Sequence, residues 1–223
     1  MAPPKLYYIE VGPPSRAALL AFRNLNIDVE VVPVDILGGK HRSPEYLKVN
    51  PQHTVPALDD NGFYLADSRA ISTYLVNSRA PGNSLYPTDP KVRALVDDRL
   101  FFDAANVFPR VKLISYAALV LNQNLVDAEK KEGLYEILDF MEIYLEGRKY
   151  FAADFPTLAD LSLLSNYSSL VHWGLNVSSY KNLQAWYKRC ESLPGFAENE
   201  VGAKTYGMLM QQRLGKDFNW ERK

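Results

Sequence analysis

Residues 50–58 read Asn50-Pro51-Gln52-His53-Thr54-Val55-Pro56-Ala57-Leu58; Asp59-Asp60-Asn61-Gly62, Phe63-Tyr64-Leu65 and, after Ala66, Asp67-Ser68-Arg69 follow. Proline cannot donate to a β ladder, so Pro56 marks the start of a strand and not its interior. Asn61-Gly62 between two apolar runs is a strong hairpin signal, because both residues tolerate the left-handed backbone of a tight turn. The hairpin strands are Pro56–Leu58 and Phe63–Leu65. Asp67-Ser68 then caps a helix carrying Ile71, Leu75 and Val76.

The same stretch predicts a binding edge. With a cis Val55–Pro56 bond, Val55 presents its N–H and C=O to an extended peptide, which pairs by strand addition. The helix start at Ser68 offers free N–H groups and a positive dipole end, which suit a carboxylate. Asp67 can accept from an ammonium, and His41 and His53 can reach a second carboxylate. The site therefore wants a short peptide with a carboxylate at each end and an amino group at one. For each histidine a plain role stays open: a turn residue at His53, a solvated loop residue at His41.

Toward the N-terminus, Leu6–Ile9 and the β-branched run Val29–Val34 read as strands. Pro13-Pro14 opens a helix through about Leu25. Ser43-Pro44-Glu45 starts a short helix. The order β-α-β-α-β-β-α implies an α/β sheet with parallel pairing and an antiparallel edge. Residues 80–90 are rich in Pro, Gly and Asn, and beyond them no strand-like alternation remains. Lys91–Leu121 reads as one helix kinked at Pro109, Ala128–Glu146 as a second, and Thr157-Leu158-Ala159-Asp160 as the capped start of a third. Leu183–Leu193 is amphipathic and stops at Pro194-Gly195. The division is residues 1–80, α/β; 81–90, linker; and 91–223, all-helical.

Composition excludes several classes. Lys and Arg number 25 against 26 Asp and Glu, a net charge of −1, which removes the electrostatic case for nucleic acid or an anionic membrane. The single cysteine, Cys190, forms no internal disulfide and no Cys-rich zinc site; it reads as a small buried hydrophobe. No metal site is expected. No apolar run reaches the roughly 18–20 residues that span a bilayer. Neither Met1-Ala2-Pro3-Pro4-Lys5 nor Trp220-Glu221-Arg222-Lys223 reads as a targeting signal, so a soluble cytoplasmic protein is expected.

These motifs together resemble the cytosolic glutathione transferases, and most closely the insect delta and epsilon classes. The resemblance rests on Glu10-Val11-Gly12-Pro13-Pro14-Ser15-Arg16, on Asn50–Pro56 and on Asp67-Ser68-Arg69-Ala70-Ile71. In the second half it rests on Leu85-Tyr86-Pro87, Arg99-Leu100-Phe101-Phe102-Asp103 and Thr157-Leu158-Ala159-Asp160-Leu161. It runs over nearly the whole chain and implies a thioredoxin-like domain, an all-α domain, a homodimer and glutathione as co-substrate, with no further cofactor. By position, it implies that Val55 pairs with the cysteinyl part, flanked by Thr54 and cis-Pro56. Asp67 and Ser68 then hold the γ-glutamyl end with Arg69 nearby, and His41 and His53 lie at the glycyl end. Arg69 as an ion pair at the dimer contact is the other reading. Asp160 with Thr157 is implied to be a structural cap.

One position departs from the pattern. The delta and epsilon classes place a serine before the proline that opens the first helix, and its hydroxyl donates to the glutathione sulfur. Here that position is Gly12. A free thiol has a pKa of about 8.5, so a replacement donor matters. Ser15 in the first helical turn, Tyr8 near the end of the first strand, and a water held at Gly12 are the three options. A second, apolar substrate is expected between the domains, lined by Pro14 and Leu37 with Phe108, Val111, Tyr116 and Leu119, and covered by Tyr206–Met210. The expected activity is transfer of the glutathione thiolate to a small apolar electrophile. The alternative is a non-catalytic glutathione- or hydrophobic-ligand-binding protein. Ser15 and the lack of a cysteine at the first helix disfavour a thiol-disulfide oxidoreductase.

Overall fold

The computed structural model describes residues 2–216 and 218–222. Met1 and Lys223, the outermost residues of the two termini read above, lie outside them. Four strands form one sheet: β1 (Lys5–Tyr8), β2 (Glu30–Pro33), β3 (Ala57–Asp60) and β4 (Phe63–Ala66), in the order β2-β1-β3-β4. β1 and β2 are parallel, joined through helix α1 (Pro13–Asn24), while β1–β3 and β3–β4 are antiparallel. Asn61 and Gly62 both have positive φ, +54° and +93°, so the hairpin turn uses the freedom that Asn-Gly supplies. Between β2 and β3 lie a 3-10 turn (Lys40–Arg42) and helix α2 (Pro44–Val49), capped by Ser43. Helix α3 (Ser68–Arg79) follows the hairpin and packs with α1 on one face of the sheet. That face buries Leu6, Leu58, Phe22, Ile71 and Leu75, while Tyr7 on the opposite face meets Tyr46 edge-on. This is a thioredoxin-like domain, followed by an all-helical one.

The helical part runs α4 (Pro90–Phe102), α5 (Phe108–Leu119), α6 (Ala128–Tyr144), α7 (Leu158–Trp173), α8 (Lys181–Cys190) and α9 (Phe196–Leu214). The single helix expected over Lys91–Leu121 is corrected here: Asp103–Val107 form a π-helical segment that separates α4 from α5. Pro109 sits in the first turn of α5, where its missing N–H costs no helical bond, so the irregularity falls before the proline and not at it. The wider turn places Asp103 inward, 1 % exposed. Helix α9 was not marked by the sequence pattern.

Helix α7 is buried nearly all round and packs against α1 and α9. Its first turn holds the capping box read from Thr157 and Asp160. The fully buried Asp160 carboxylate accepts from the N–H groups of Thr157 (2.8 Å) and Phe151 (3.0 Å) and from Trp186 Nε1 (3.0 Å). Burial raises its pKa, and these donors act against that shift. Cys190 is fully buried, and burial pushes its thiol up, as suits a small apolar residue.

Arg16 ties α1 to the helical part. It is 1 % exposed and donates to Asn199 Oδ1 (2.7 Å), Ser169 Oγ (2.5 Å) and the Ser165 carbonyl (3.0 Å). Among the described residues no carboxylate bonds to it. Burial lowers its pKa to about 10, which leaves it charged at neutral pH. Gly202 makes room for this crossing: a Cβ there would lie 2.4 Å from the Glu10 carbonyl and 2.6 Å from Arg16 Cδ.

Candidate functional site

The loop before β3 is fastened from below, and its outer edge is open. Asn50, buried, donates through Nδ2 to Thr54 O (2.8 Å) and Thr54 Oγ1 (2.9 Å), and Tyr46 Oη donates to the same carbonyl (2.5 Å). Thr54 is thus spent on holding the loop. The Val55–Pro56 bond is cis, and Val55 N–H and C=O have no partner among the described residues. The same loop sets His53 at φ +48°, its N–H bonded to Asn50 O at 2.9 Å. The His53 ring then lies 6.0 Å from that of His41, which sits on the 3-10 turn. His41 Nδ1 is buried with no partner among the described residues. Burial, then the charges of Arg42 and His53, lower the His41 pKa.

At the other end Asp67 takes φ +69° and caps α3, its Oδ1 accepting the Arg69 N–H at 2.8 Å. Its side chain is 55 % exposed. Ser68, 1 % exposed, has an Oγ without a partner among the described residues. A buried hydroxyl left unbonded is costly, so a ligand group is the natural partner for it. Arg69 is not at the ligand end and not on the surface. Its guanidinium donates to Asp67 Oδ2 (3.1 Å) and to Asp103 Oδ2 (2.5 Å). Asp103 also accepts from Ser162 Oγ (2.6 Å) and Asn166 Nδ2 (2.9 Å). Arg69 therefore orients Asp67 and joins α3 to the helical part. Both expected roles, ligand contact and dimer ion pair, give way to this buried one.

The start of α1 corrects the search for a sulfur donor. Gly12 is the N-cap, with φ −79° and ψ 113°, a conformation open to any L residue. Ser15 is fully buried, and its Oγ accepts the Ile9 N–H at 3.3 Å, so the hydroxyl faces inward. Pro13 and Pro14 carry no N–H, and the Arg16 N–H is bonded to Gly12 O, so the helix end presents few donors. Tyr8 shares the inner face of β1 with Leu6 and borders a small crevice with Arg16, Leu19, Glu198 and Asn199. Burial pushes its phenol up to about 12. Neither Ser15 nor Tyr8 stands where it can serve the sulfur.

The apolar set divides. Val111 is fully buried in the helical core and Pro14 is buried under α1, so neither lines an open site. Phe108 and Leu119 are half-buried, while Tyr116 and Leu37 are exposed, Leu37 by 77 %. Asp103 and Asn50 are functional residues that residue-by-residue reading passed over. Both lay inside motifs already quoted, which was the available signal. Among the described residues no cluster of three His, Cys, Asp or Glu could hold a metal, and no helix is long and apolar enough to cross a membrane.

Comparison with known proteins agrees with this geometry. Residues 6–84 match the family described as glutathione S-transferase, N-terminal domain, and residues 118–194 the corresponding C-terminal domain. Glutathione S-transferase D7 of Anopheles gambiae is 34 % identical over 215 residues, 95 % of this chain and 98 % of that protein. The structure of glutathione S-transferase unclassified 2 from Bombyx mori superposes with a TM-score of 0.89 at 40 % identity, over 95 % of this chain and 99 % of that one. A glutathione transferase homologue from Drosophila mojavensis, solved with bound glutathione, gives 0.91 at 38 % identity over 96 % and 98 %. The open Val55 edge and the Ser68 helix end thus stand in a chain that belongs to the glutathione S-transferases, transferases that take glutathione as co-substrate.

Proposed function

We propose that this chain binds glutathione along the Val55 edge and transfers its thiolate to small apolar electrophiles, as a cytoplasmic detoxifying enzyme. The observation that carries the reading is the buried, unbonded Ser68 Oγ at the α3 end, in one site with an unpaired Val55 backbone. The α-carboxylate of the γ-glutamyl group meets Ser68 and the helix dipole, its ammonium meets Asp67, and the cysteinyl backbone pairs with Val55. Residues 1–80 supply this site. Residues 91–223 supply Phe108, Tyr116 and Leu119 around the electrophile, with Leu37 opposite.

Retention on a glutathione matrix tests it. Asp67→Ala and Ser68→Ala should each weaken binding by about 1–3 kcal/mol, the worth of a hydrogen bond to a charged group. Ser68→Ala carries its own control. Its Oγ has no partner in the free chain, so the variant should unfold no earlier than the parent while binding less. Undiminished retention of both variants would place the site elsewhere.

The same reading includes a two-fold dimer through α3 and α4. Phe101, 72 % exposed on α4, is the apolar candidate at its centre. Phe102 is buried, and Arg99 lies 3.5 Å over the Tyr144 ring, so both serve their own subunit. Sedimentation should show a dimer at micromolar concentration, and Phe101→Asp should shift it toward monomer. A parent chain that sediments as a monomer throughout that range refutes the assembly. A second reading, binding without catalysis, is favoured by one observation alone: Gly12 brings no hydroxyl to the sulfur.

A further inference from the structure

Resting on that glutathione-binding reading, we propose that His41 and His53 form a proton-linked clamp: the second carboxylate of the bound tripeptide enters between them and brings a proton with it. Two loops of separate origin converge to make the pair, the 3-10 turn after β2 and the loop before β3, with ring centroids 6.0 Å apart. At that distance two imidazolium rings repel, so the empty pair resists double protonation. The other charged groups about His41 are Arg42, which adds to the repulsion, and Asp35, which acts the other way. The buried His41 Nδ1 has no acceptor among the described residues, so a proton placed there in the free chain is unbonded.

A carboxylate reverses each of these terms. It supplies the missing acceptor, and its negative charge favours the imidazolium form. The α3 end already takes the γ-glutamyl carboxylate, so the glycyl carboxylate is the one left for the pair. The sign follows from linkage. A group whose pKa rises on binding takes up a proton, so affinity is greatest below the free pKa and is lost as pH rises through the bound one. With unperturbed histidine near 6.5, that loss falls across neutrality. Tripeptide capture at this end is then tuned by pH independently of thiol ionisation.

S-methylglutathione isolates the effect, because it has no thiol to titrate. Calorimetry in buffers of different ionisation heat should show net proton uptake near neutral pH. The dissociation constant should rise about three- to tenfold from about pH 6 to about pH 8, within the tenfold per pH unit that one proton allows. The glycine-amide analogue should bind more weakly and take up no proton. His41→Gln and His53→Gln should each reduce the uptake. The amide comparison on the parent chain stands even if a variant fails to fold. Binding of S-methylglutathione without proton uptake, or equal uptake by acid and amide, overturns the clamp and leaves the glutathione reading intact. Absence of any S-methylglutathione binding at both pH values removes both.

Discussion

Asp103→Ala should lower the unfolding free energy by about 3–5 kcal/mol, the cost of leaving a buried charge without its partner. Asp103 is 1 % exposed and takes hydrogen bonds from Arg69, Ser162 and Asn166. Removing it strands the Arg69 guanidinium, whose only other carboxylate is the half-exposed Asp67. Two unpaired donors on α7 add to the loss. Denaturant unfolding followed by tryptophan fluorescence reads the effect, since Trp173 and Trp186 are both buried. The double variant Arg69→Met/Asp103→Leu separates pairing from packing. It should recover much of the stability, because a buried ion pair exchanged for apolar groups is often neutral. It should not recover glutathione affinity, because Asp67 loses the side chain that holds it. A loss below about 1 kcal/mol for Asp103→Ala would mean that the pair is hydrated and the tie between the two parts is weak.

Gly12→Ser should raise the conjugation rate with a generic aromatic electrophile by about 10- to 100-fold, approaching what one well-placed donor contributes to a charged reaction centre. Three observations support the sign. The Gly12 backbone suits an L residue. Ser15 faces inward and Tyr8 is a buried phenol, so no hydroxyl already fills the role. Positioning of the two substrates remains, so the parent should show modest activity to be raised. The new Cβ would stand 2.8 Å from Ile9 Cγ2, so Ile9 must give way; Ile9→Ala combined with Gly12→Ser removes that obstacle. The thiolate absorbance of bound glutathione, followed against pH, is the second readout: the thiol pKa should fall in Gly12→Ser. Ser15→Ala should leave that pKa where it is in the parent. A pKa moved by Ser15→Ala and untouched by Gly12→Ser would restore Ser15 as the donor.

What could be read without coordinates was what is decided locally. The Asn61-Gly62 turn, the Ser43 and Asp67 caps and the Thr157–Asp160 box depend on neighbours within a few residues, and each stands where its pattern put it. Strand ends shifted by a residue or so, with β1 at Lys5–Tyr8 and β2 at Glu30–Pro33. Asp103 was hidden because its inward aim depends on a π-helical turn that no residue type announces. Helix α9 was hidden because Gly202 and Gly207 weaken its helical pattern. Both are small for tertiary reasons, the second because a Cβ would lie 2.3 Å from the His172 carbonyl. Ser15 misled because spacing places a residue near a site without saying which way its hydroxyl turns. Arg69 misled for the related reason that its partner lies 34 positions away, across the linker.

Arg16 bears on separability. Its guanidinium is grown on α1, and its acceptors Ser165, Ser169 and Asn199 belong to α7 and α9. Excised from the helical half, the α/β half would lose that ring of acceptors and expose the apolar face that α1 turns toward α7. The helical half alone would keep a row of buried serine and carbonyl oxygens with nothing to receive. The linker at 81–90 therefore divides the chain by topology and not by thermodynamics. Neither half is a portable cassette, and recombination between relatives must exchange Arg16 together with the residues that cradle it.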